Sequence, residues 1–264
     1  MDKFFTISNG GRNTPCILRE PDTGRPRRVV LGVHGIAGCK EDPIQESIAE
    51  EMDLFGCAVL RFDFPAHGEN EEEILSLHGC VDTLLDVADY AAERYPDLKD
   101  LCIFATGFGA YVTLTALQDL IELPCRVRLV IQTPSLRMDQ TILNFTRVSA
   151  VTLEAMEMVL FTVPSRPIGF FYSFFEECRR NPAFAAYPIP MLILLKNDAL
   201  QTLSWQVDTS NGEKGVPILL FNPHPFPVET LAQIPKRIER LYDDAGKGNA
   251  NCGRNQAGRQ KKND

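Results

Sequence analysis

The chain has 264 residues, of which 44% are hydrophobic and 23% are charged, proportions that are ordinary for a soluble globular protein with a large core. The formal net charge of −8 argues against binding to nucleic acid or to an anionic membrane, since both partners attract clustered lysine and arginine. The apolar run at the N-terminus is too short for a secretory signal, and no stretch approaches the ~20 apolar residues that cross a bilayer. We therefore expect a cytoplasmic protein without a membrane span.

The eight cysteines are scattered along the chain, with no C-x-x-C pair and no histidine at metal-binding spacing. Cys57 and Cys102 lie inside apolar, strand-like runs, where cysteine packs as a small hydrophobic residue. The pattern indicates reduced structural thiols rather than a disulfide framework. We expect no metal and no cofactor.

The N-terminal segments "FFTIS" and "CILRE" are joined by the turn-rich "NGGRNTP" and predict a β-hairpin. The run "RVVLGVH" (28–34) predicts a short strand, and Asp42-Pro43 predicts the start of a helix, because aspartate caps helices and proline favours their first position. Further strands are predicted from "CAVLRFDF", "LCIFAT", "RVRLVIQT", "MLILLK" and "VPILLF". Further helices are predicted at about 75–95, in "GAYVTLTALQDLI" and at about 228–242.

Continuous Val/Ile/Leu strands that alternate with helices predict a mainly parallel sheet covered on both faces. Residues 134–189 interrupt this alternation and are rich in Phe, Met and Leu, which predicts a small helical cap inserted into the core. The core then comprises residues 1–133 and 190–242. The Gly/Asn/Lys-rich segment 243–264 lacks apolar periodicity and is predicted to be disordered.

Polar residues follow the predicted strands, at the edge where ligands of open α/β sheets bind. Taken alone, an aspartate at a strand end commonly caps a helix, and a single histidine is commonly a surface residue. Their recurrence after successive strands predicts a functional site at this edge of the sheet. The residues are His34 and Gly35, Asp63 and His67, Asp198, and His224.

Two of these segments carry a family resemblance. "VVLGVHGIAGCKED" resembles a strand followed by an HG-x-x-G oxyanion loop. "VLRFDFPAHGEN" resembles the segment R-x-D-x-x-G-H-G-x-S, with Ala66 and Asn70 in place of the usual glycine and serine. Over roughly residues 3–242 the chain resembles the α/β-hydrolase superfamily, within it the small bacterial esterases that include cinnamoyl/feruloyl esterases and monoacylglycerol lipase-like proteins. The resemblance implies a three-layer α/β fold with a mainly parallel central sheet, an N-terminal hairpin and a small helical cap.

The stretch "IFATGFGAYV" resembles the nucleophile elbow G-x-S-x-G of this superfamily, but Gly107 stands where the serine belongs. The resemblance places the acid and the histidine of the catalytic triad at Asp198 and His224, in the chain order expected for this fold. It also implies an oxyanion hole formed by the backbone N–H groups of Ile36 and Phe108. His34 and Gly35 would support the oxyanion loop through hydrogen bonds.

Glycine cannot attack a carbonyl carbon, so covalent catalysis is predicted to be lost or strongly impaired. It does adopt the strained backbone angles of an elbow without a Cβ penalty, which preserves the turn. No other residue is a convincing nucleophile. Thr106 is turned away by strand geometry, Cys102 lies in the core, and Ser135 is expected to face the cap.

This pattern is consistent with three functional hypotheses. In the first, the protein has lost ester hydrolysis and kept an apolar acyl or aryl pocket that binds a small apolar ester or related ligand. Alternatively, it is an ester hydrolase by ancestry with glycine as a variant of its nucleophile. In the third, Asp198 and His224 act as a non-covalent acid–base pair. In each case the aromatic run at 170–175 is expected to form cap core and an apolar roof.

Overall fold

The computed structural model describes residues 1–22, 25–71, 73–162, 167–183, 189 and 191–194, and the backbone of residues 218–221. Each predicted strand is present in this part of the chain. The predicted helix at 228–242 and the predicted disordered segment 243–264 lie outside the described residues. The strands are β1 (Asp2–Asn9), β2 (Arg12–Arg19), β3 (Arg28–Val33), β4 (Ala58–Phe62), β5 (Asp100–Thr106), β6 (Arg126–Gln132), β7 (Met158–Thr162), β8 (Pro167–Phe171), β9 (Met191–Leu194) and β10 (Ile218–Phe221).

The helices follow the strands in the alternation that the sequence predicts. They are α1 (Pro43–Leu54), α2 (Leu77–Arg94), α3 (Gly107–Thr115), α4 (Leu117–Leu120), α5 (Met138–Thr146), α6 (Ala150–Met156) and α7 (Tyr172–Arg180). None of the helices in the described ranges combines the length and the apolar character that a membrane crossing requires.

Eight of the strands form one sheet in the order β1-β2-β4-β3-β5-β6-β9-β10. β1 pairs antiparallel with β2, β2 pairs antiparallel with β4, and the remaining pairs are parallel. The structure therefore confirms a mainly parallel sheet with an N-terminal hairpin. Because β3, β5, β6, β9 and β10 are parallel, their carboxyl ends share one edge of the sheet.

Side chains of successive strand residues point to opposite faces of the sheet, and both faces are buried. In β3, Leu31 belongs to the larger hydrophobic cluster, which contains residues of α2 and α3. Its neighbour Val30 belongs to a second cluster with Ile48 and Met52 of α1. β3 is apolar from Val29 to Val33 because neither face of the sheet is open to water there, which confirms the three-layer fold.

The cap lies between β6 and β9, and its described residues form the helices α5, α6 and α7 together with the antiparallel hairpin β7–β8. The hairpin was not predicted, since the run around Met158–Thr162 was interpreted as helical. Its residues Val159, Phe161 and Thr162 are β-branched or aromatic, and these types favour a pleated strand once a partner strand is available. The partner strand Pro167–Phe171 follows a few residues later, a proximity that helical periodicity does not reveal.

Partly buried hydrogen bonds join the cap to the core. The Tyr111 hydroxyl of α3 donates to the Asn181 carbonyl at 2.6 Å, just after α7. The Glu177 carboxylate of α7 accepts a hydrogen bond from the backbone N–H of Leu77, at the start of α2, at 2.5 Å. A carboxylate is favourable there because the first N–H groups of a helix have no partner inside the helix.

Replacing Tyr111 by phenylalanine is expected to lower the free energy of unfolding by about 1–2 kcal/mol, because it leaves the Asn181 carbonyl without its donor. Urea unfolding of both proteins measures the loss. Tyr90→Phe is the matched control, since its half-buried hydroxyl makes no hydrogen bond to a described residue, and it should cost less than about 0.5 kcal/mol. Equal losses in the two variants would contradict this role of Tyr111.

The carboxylate of Glu20 fastens the N-terminal hairpin to α2. It accepts hydrogen bonds from Lys3 Nζ at 2.7 Å, from the Tyr95 hydroxyl at 2.6 Å and from Arg94 at 3.1 Å. Burial by itself raises the pKa of Glu20, but these donors outweigh it and lower the pKa to about 2. The folded state therefore holds the ionised form more strongly than the unfolded chain does.

Since the pKa of Glu20 falls on folding, its contribution is complete above its ordinary pKa of 4.5 and disappears as the pH falls towards 2. Glu20→Gln is expected to destabilise the protein by on the order of 1 kcal/mol at neutral pH. The difference from the parent protein should shrink below pH 4.5 in urea unfolding. Glu50→Gln, at a side chain that is 63% exposed, should show no such trend. A Glu20 effect of the same size at both ends of this pH range would refute the argument.

Candidate functional site

The turn between β5 and α3 occupies the shared edge of the sheet. Thr106 is extended, with φ −118° and ψ 137°, and Gly107 immediately reverses to a φ of +50°. This left-handed conformation costs most residues about 1–2 kcal/mol and costs glycine almost nothing. Among the residues that the structure describes, no atom lies within 4 Å of a Cβ atom built on Gly107. The turn is therefore sharp, as predicted, and it has room for a side chain.

Gly109, two residues further on, is glycine for a different reason. A Cβ atom built there would lie 2.3 Å from the His34 carbonyl oxygen and 2.8 Å from Val33 Cγ1. The first turn of α3 thus packs directly against the end of β3, at a distance that only glycine permits. The last small residue of the elbow is required by packing, whereas Gly107 faces open space.

The loop after β3 begins with a tight turn. The Gly38 N–H donates to the Gly35 carbonyl at 3.1 Å. Ala37, the third residue of the turn, has a φ of +61°, a conformation for which such turns favour glycine. The turn therefore carries a strained alanine directly after Ile36.

His34 is fully buried at the start of this loop. Its Nε2 accepts the backbone N–H of Phe64 at 3.1 Å, so the ring proton lies on Nδ1, which donates to the Gly35 carbonyl at 2.8 Å. In this arrangement the imidazole is neutral and both ring nitrogens are engaged. His34 joins the loop after β3 to the loop after β4.

The backbone amides of Ile36 and Phe108 flank the elbow. Within the part of the chain that the structure describes, neither N–H donates to a backbone carbonyl or a side chain. Phe108 is the second residue of α3, where N–H groups have no partner inside the helix. The two amides follow adjacent parallel strands, since Val33 of β3 pairs with Ala105 of β5. The structure brings Gly107 and these two amides to the same edge of the sheet.

Comparison with known proteins gives relatives in structure only. No protein-family model matches the chain, and no curated protein is similar to it in sequence. Est1E from Butyrivibrio proteoclasticus, solved with ferulic acid bound, superposes with a TM-score of 0.73 at 15% identity, covering 91% of this chain and 98% of its own. The chain has the α/β-hydrolase fold.

Two further solved structures share this fold. Mouse alpha/beta hydrolase domain-containing protein 10 has a TM-score of 0.66 at 14% identity, covering 92% of this chain and 99% of its own. Dienelactone hydrolase from Anabaena variabilis has a TM-score of 0.58 at 15% identity, covering 92% of this chain and 97% of its own. At such identities the similarity concerns the fold alone.

Two of the predicted site residues, Asp198 and His224, lie outside the described residues. The strands that precede them in the chain, β9 and β10, run parallel to the elbow strand within the α/β-hydrolase sheet. Their assignment as acid and base remains a prediction from the sequence.

Thr106, Cys102 and Ser135, which were considered as alternative nucleophiles, lie in three different environments. A Cβ atom built on Gly35 would lie 3.4 Å from Thr106 Oγ1, so the threonine hydroxyl lies beneath the loop after β3. Cys102 is fully buried in the cluster on the α1 face of the sheet. Ser135 was expected to face the cap, and its backbone N–H donates to the Gly107 carbonyl at 3.4 Å, so the segment after β6 runs beside the elbow.

A buried ion-pair network, which the sequence analysis did not predict, joins the loops after β3 and β4. The Lys40 side chain is 2% exposed, and its Nζ lies 2.7 Å from Asp63 Oδ2 and 2.6 Å from Glu69 Oε1. Burial by itself lowers the pKa of Lys40, but the hydrogen bonds and charges of Asp63 and Glu69 outweigh it and raise the pKa above its ordinary value. In the sequence, Lys40 stands among charged loop residues and resembles a solvated side chain.

The ring of Phe108 lies between the core and the cap. It contacts Phe64 of the loop after β4 at a centroid distance of 5.9 Å and Phe174 of α7 at the same distance. It also stacks on His67 at 6.2 Å. Of the predicted aromatic run, Phe170, Phe174 and Phe175 are buried in the cap, as core residues.

An open groove of about 480 Å³ separates the β7–β8 hairpin from the loop after β4. Its lining is mainly apolar and includes Ile74, Leu160, Ile168 and Phe171, with Glu71 and Glu73 at its rim. The volume lies in the range of small-molecule sites.

Proposed function

We propose that the protein descends from serine carboxylic-ester hydrolases and has lost covalent catalysis at Gly107 while keeping a site for a small apolar ester or a related ligand. The observation that carries the proposal is the elbow itself. Gly107 has the left-handed backbone that the strand-to-helix turn requires, and no described residue fills the space that a side chain there would take. A serine side chain has room at the one position where the fold would use it.

The unpaired amides of Ile36 and Phe108 support the assignment of an oxyanion hole. Backbone N–H groups aimed at a carbonyl oxygen stabilise the negative charge that develops during attack. They are independent of side-chain identity, so they survive the replacement of serine by glycine. A bound ester would be polarised at this site but would meet no nucleophile.

Asp198 and His224 complete the proposed site as acid and base, on the strength of the sequence resemblance. In a serine hydrolase the histidine takes the proton of the attacking hydroxyl and the acid orients the imidazole ring. With glycine at position 107 this pair has no hydroxyl to activate. Loss of the nucleophile leaves only the contributions of the oxyanion hole and of substrate binding.

We propose a ligand with an apolar acyl or aryl group. The aromatic cap and the apolar groove beside it favour such a group over a strongly polar one. Est1E binds ferulic acid, an aromatic carboxylic acid, in a related fold. We also propose a cytoplasmic location, since the cysteines in the described ranges are free thiols.

The proposal is tested by measuring the hydrolysis of p-nitrophenyl acetate, p-nitrophenyl butyrate and methyl ferulate by the protein and by its Gly107→Ser variant. The parent protein should be inactive and the variant active. Labelling of the variant by a fluorophosphonate probe, which reacts with activated serine, provides an independent measure. A folded serine variant that neither hydrolyses these esters nor reacts with the probe would refute it.

A further inference from the structure

The loop that contains Ile36 is held at each end by a buried side chain. At its start His34 binds the backbone of Phe64, and at its end Lys40 binds Asp63. Between these two points lies the turn with Ala37 at a φ of +61°. A non-glycine residue in this conformation is retained only where the surroundings hold it.

Lys40 is held more extensively than a simple ion pair requires. Its backbone N–H donates to Asp63 Oδ1 at 2.7 Å, while its side-chain Nζ binds Asp63 Oδ2 at 2.7 Å. Its carbonyl accepts a hydrogen bond from buried Arg61 at 3.2 Å. Both the main chain and the side chain of Lys40 are therefore attached to β4 and the loop that follows it.

Asp63 in turn is fully buried and organises the second loop. Its Oδ2 also accepts the backbone N–H of Glu69 at 3.0 Å. Gly68, with a φ of +52°, passes so close that a Cβ atom there would overlap the Asp63 carboxylate. The second loop is folded tightly around this carboxylate, so it is a rigid support for Lys40.

We propose that Lys40 is a positioning residue that fixes the oxyanion loop through Asp63 and so holds the Ile36 amide in place for a carbonyl oxygen at the elbow. The inference rests on the proposed function, because it assigns a purpose to that site. Lys40 lies four residues beyond Ile36 and acts through the intervening turn rather than by touching the ligand. A neutral side chain of similar length would fill the space but release the loop.

The test uses Lys40→Met in two backgrounds. In the Gly107→Ser background, kcat for p-nitrophenyl acetate is expected to fall by roughly 10- to 100-fold with KM changed less than about twofold, because a misplaced oxyanion donor weakens binding of the transition state alone. In the parent protein, hydrogen exchange of the Gly38 amide, which donates to the Gly35 carbonyl, is expected to accelerate at least about tenfold, as the loop opens locally. Lys3→Met, at an exposed ion pair, is the matched control and should change neither quantity.

Lys40→Met leaves the Asp63 carboxylate buried without its ammonium partner, so this variant could fail to fold. The double variant Lys40→Met with Asp63→Asn removes both charges and should fold, with the same loss of kcat and the same accelerated exchange. Unchanged exchange at Gly38 in a folded Lys40 variant would overturn the inference, whatever the esterase result. So would an unchanged kcat in an active serine background. Absence of activity in Gly107→Ser itself counts against the proposed function, and the exchange measurement then decides the role of Lys40.

Discussion

Replacing Gly107 by serine is expected to raise kcat/KM for small p-nitrophenyl esters by roughly 10³-fold or more, since nucleophile and base together contribute on the order of 10³- to 10⁶-fold in serine hydrolases. The physical reason lies in the elbow. A Cβ atom on Gly107 meets no described residue within 4 Å, so a serine side chain fits at this position without displacing any of them. The next residue is Phe108, whose backbone N–H donates to no described residue.

The gain in activity should carry a small loss in stability. At a φ of +50° a side chain costs about 1–2 kcal/mol, which urea unfolding detects. Gly107→Ala is the matched control, because it has the same strain and no hydroxyl. It should lose the same stability and gain no activity. Gly107→Ser combined with His224→Ala should also be inactive, which separates triad chemistry from attack by a surface serine.

Replacing Gly109 by alanine is expected to be the most damaging single change in the elbow. The added methyl group would lie 2.3 Å from the His34 carbonyl oxygen and 3.0 Å from the carbonyl oxygen of Val33. Backbone atoms of a central strand cannot yield as a flexible side chain can, so α3 must move away from β3. We expect a loss of about 3 kcal/mol in the free energy of unfolding, and a Tm lower by about 5–10 °C.

The same substitution at the two glycines of one turn gives the sharpest comparison. Gly107→Ala adds a methyl group into open space at an unfavourable φ, whereas Gly109→Ala adds it against backbone atoms. Thermal unfolding should rank Gly109→Ala well below Gly107→Ala. If both variants unfold at the same temperature, the close packing of α3 against β3 is wrong.

Strand positions were predictable because the strands of this sheet are buried on both faces. Runs such as "RVVLGV" carry no charge beyond their first residue, and such runs indicate central parallel strands wherever they occur. The hairpin in the cap escaped prediction for the opposite reason. Met158 and Val159 are only half-buried, and Leu160 is 59% exposed, so β7 lacks the continuous burial that marks the core strands.

Some features of the candidate site were predicted from the sequence and others were not. Gly107, Ile36 and Phe108 were predicted from the family resemblance of local segments, in which a strand end, a turn and a helix start are adjacent in sequence. The buried ion pair of Lys40 and Asp63 was not predicted, although both residues can be read in the sequence. The two residues meet because β3 and β4 are adjacent in the sheet, and they are 23 positions apart in the sequence.

The sequence by itself determined the alternation of strands and helices, and its family resemblance predicted that a glycine occupies the nucleophile position. Both are local properties, because side-chain chemistry and spacing act over a few residues. Only the tertiary structure decided what surrounds each position. It separates Gly107, which faces open space, from Gly109, which touches the end of β3. The difference is physical: the room available to a Cβ atom depends on atoms that distant parts of the chain bring to it.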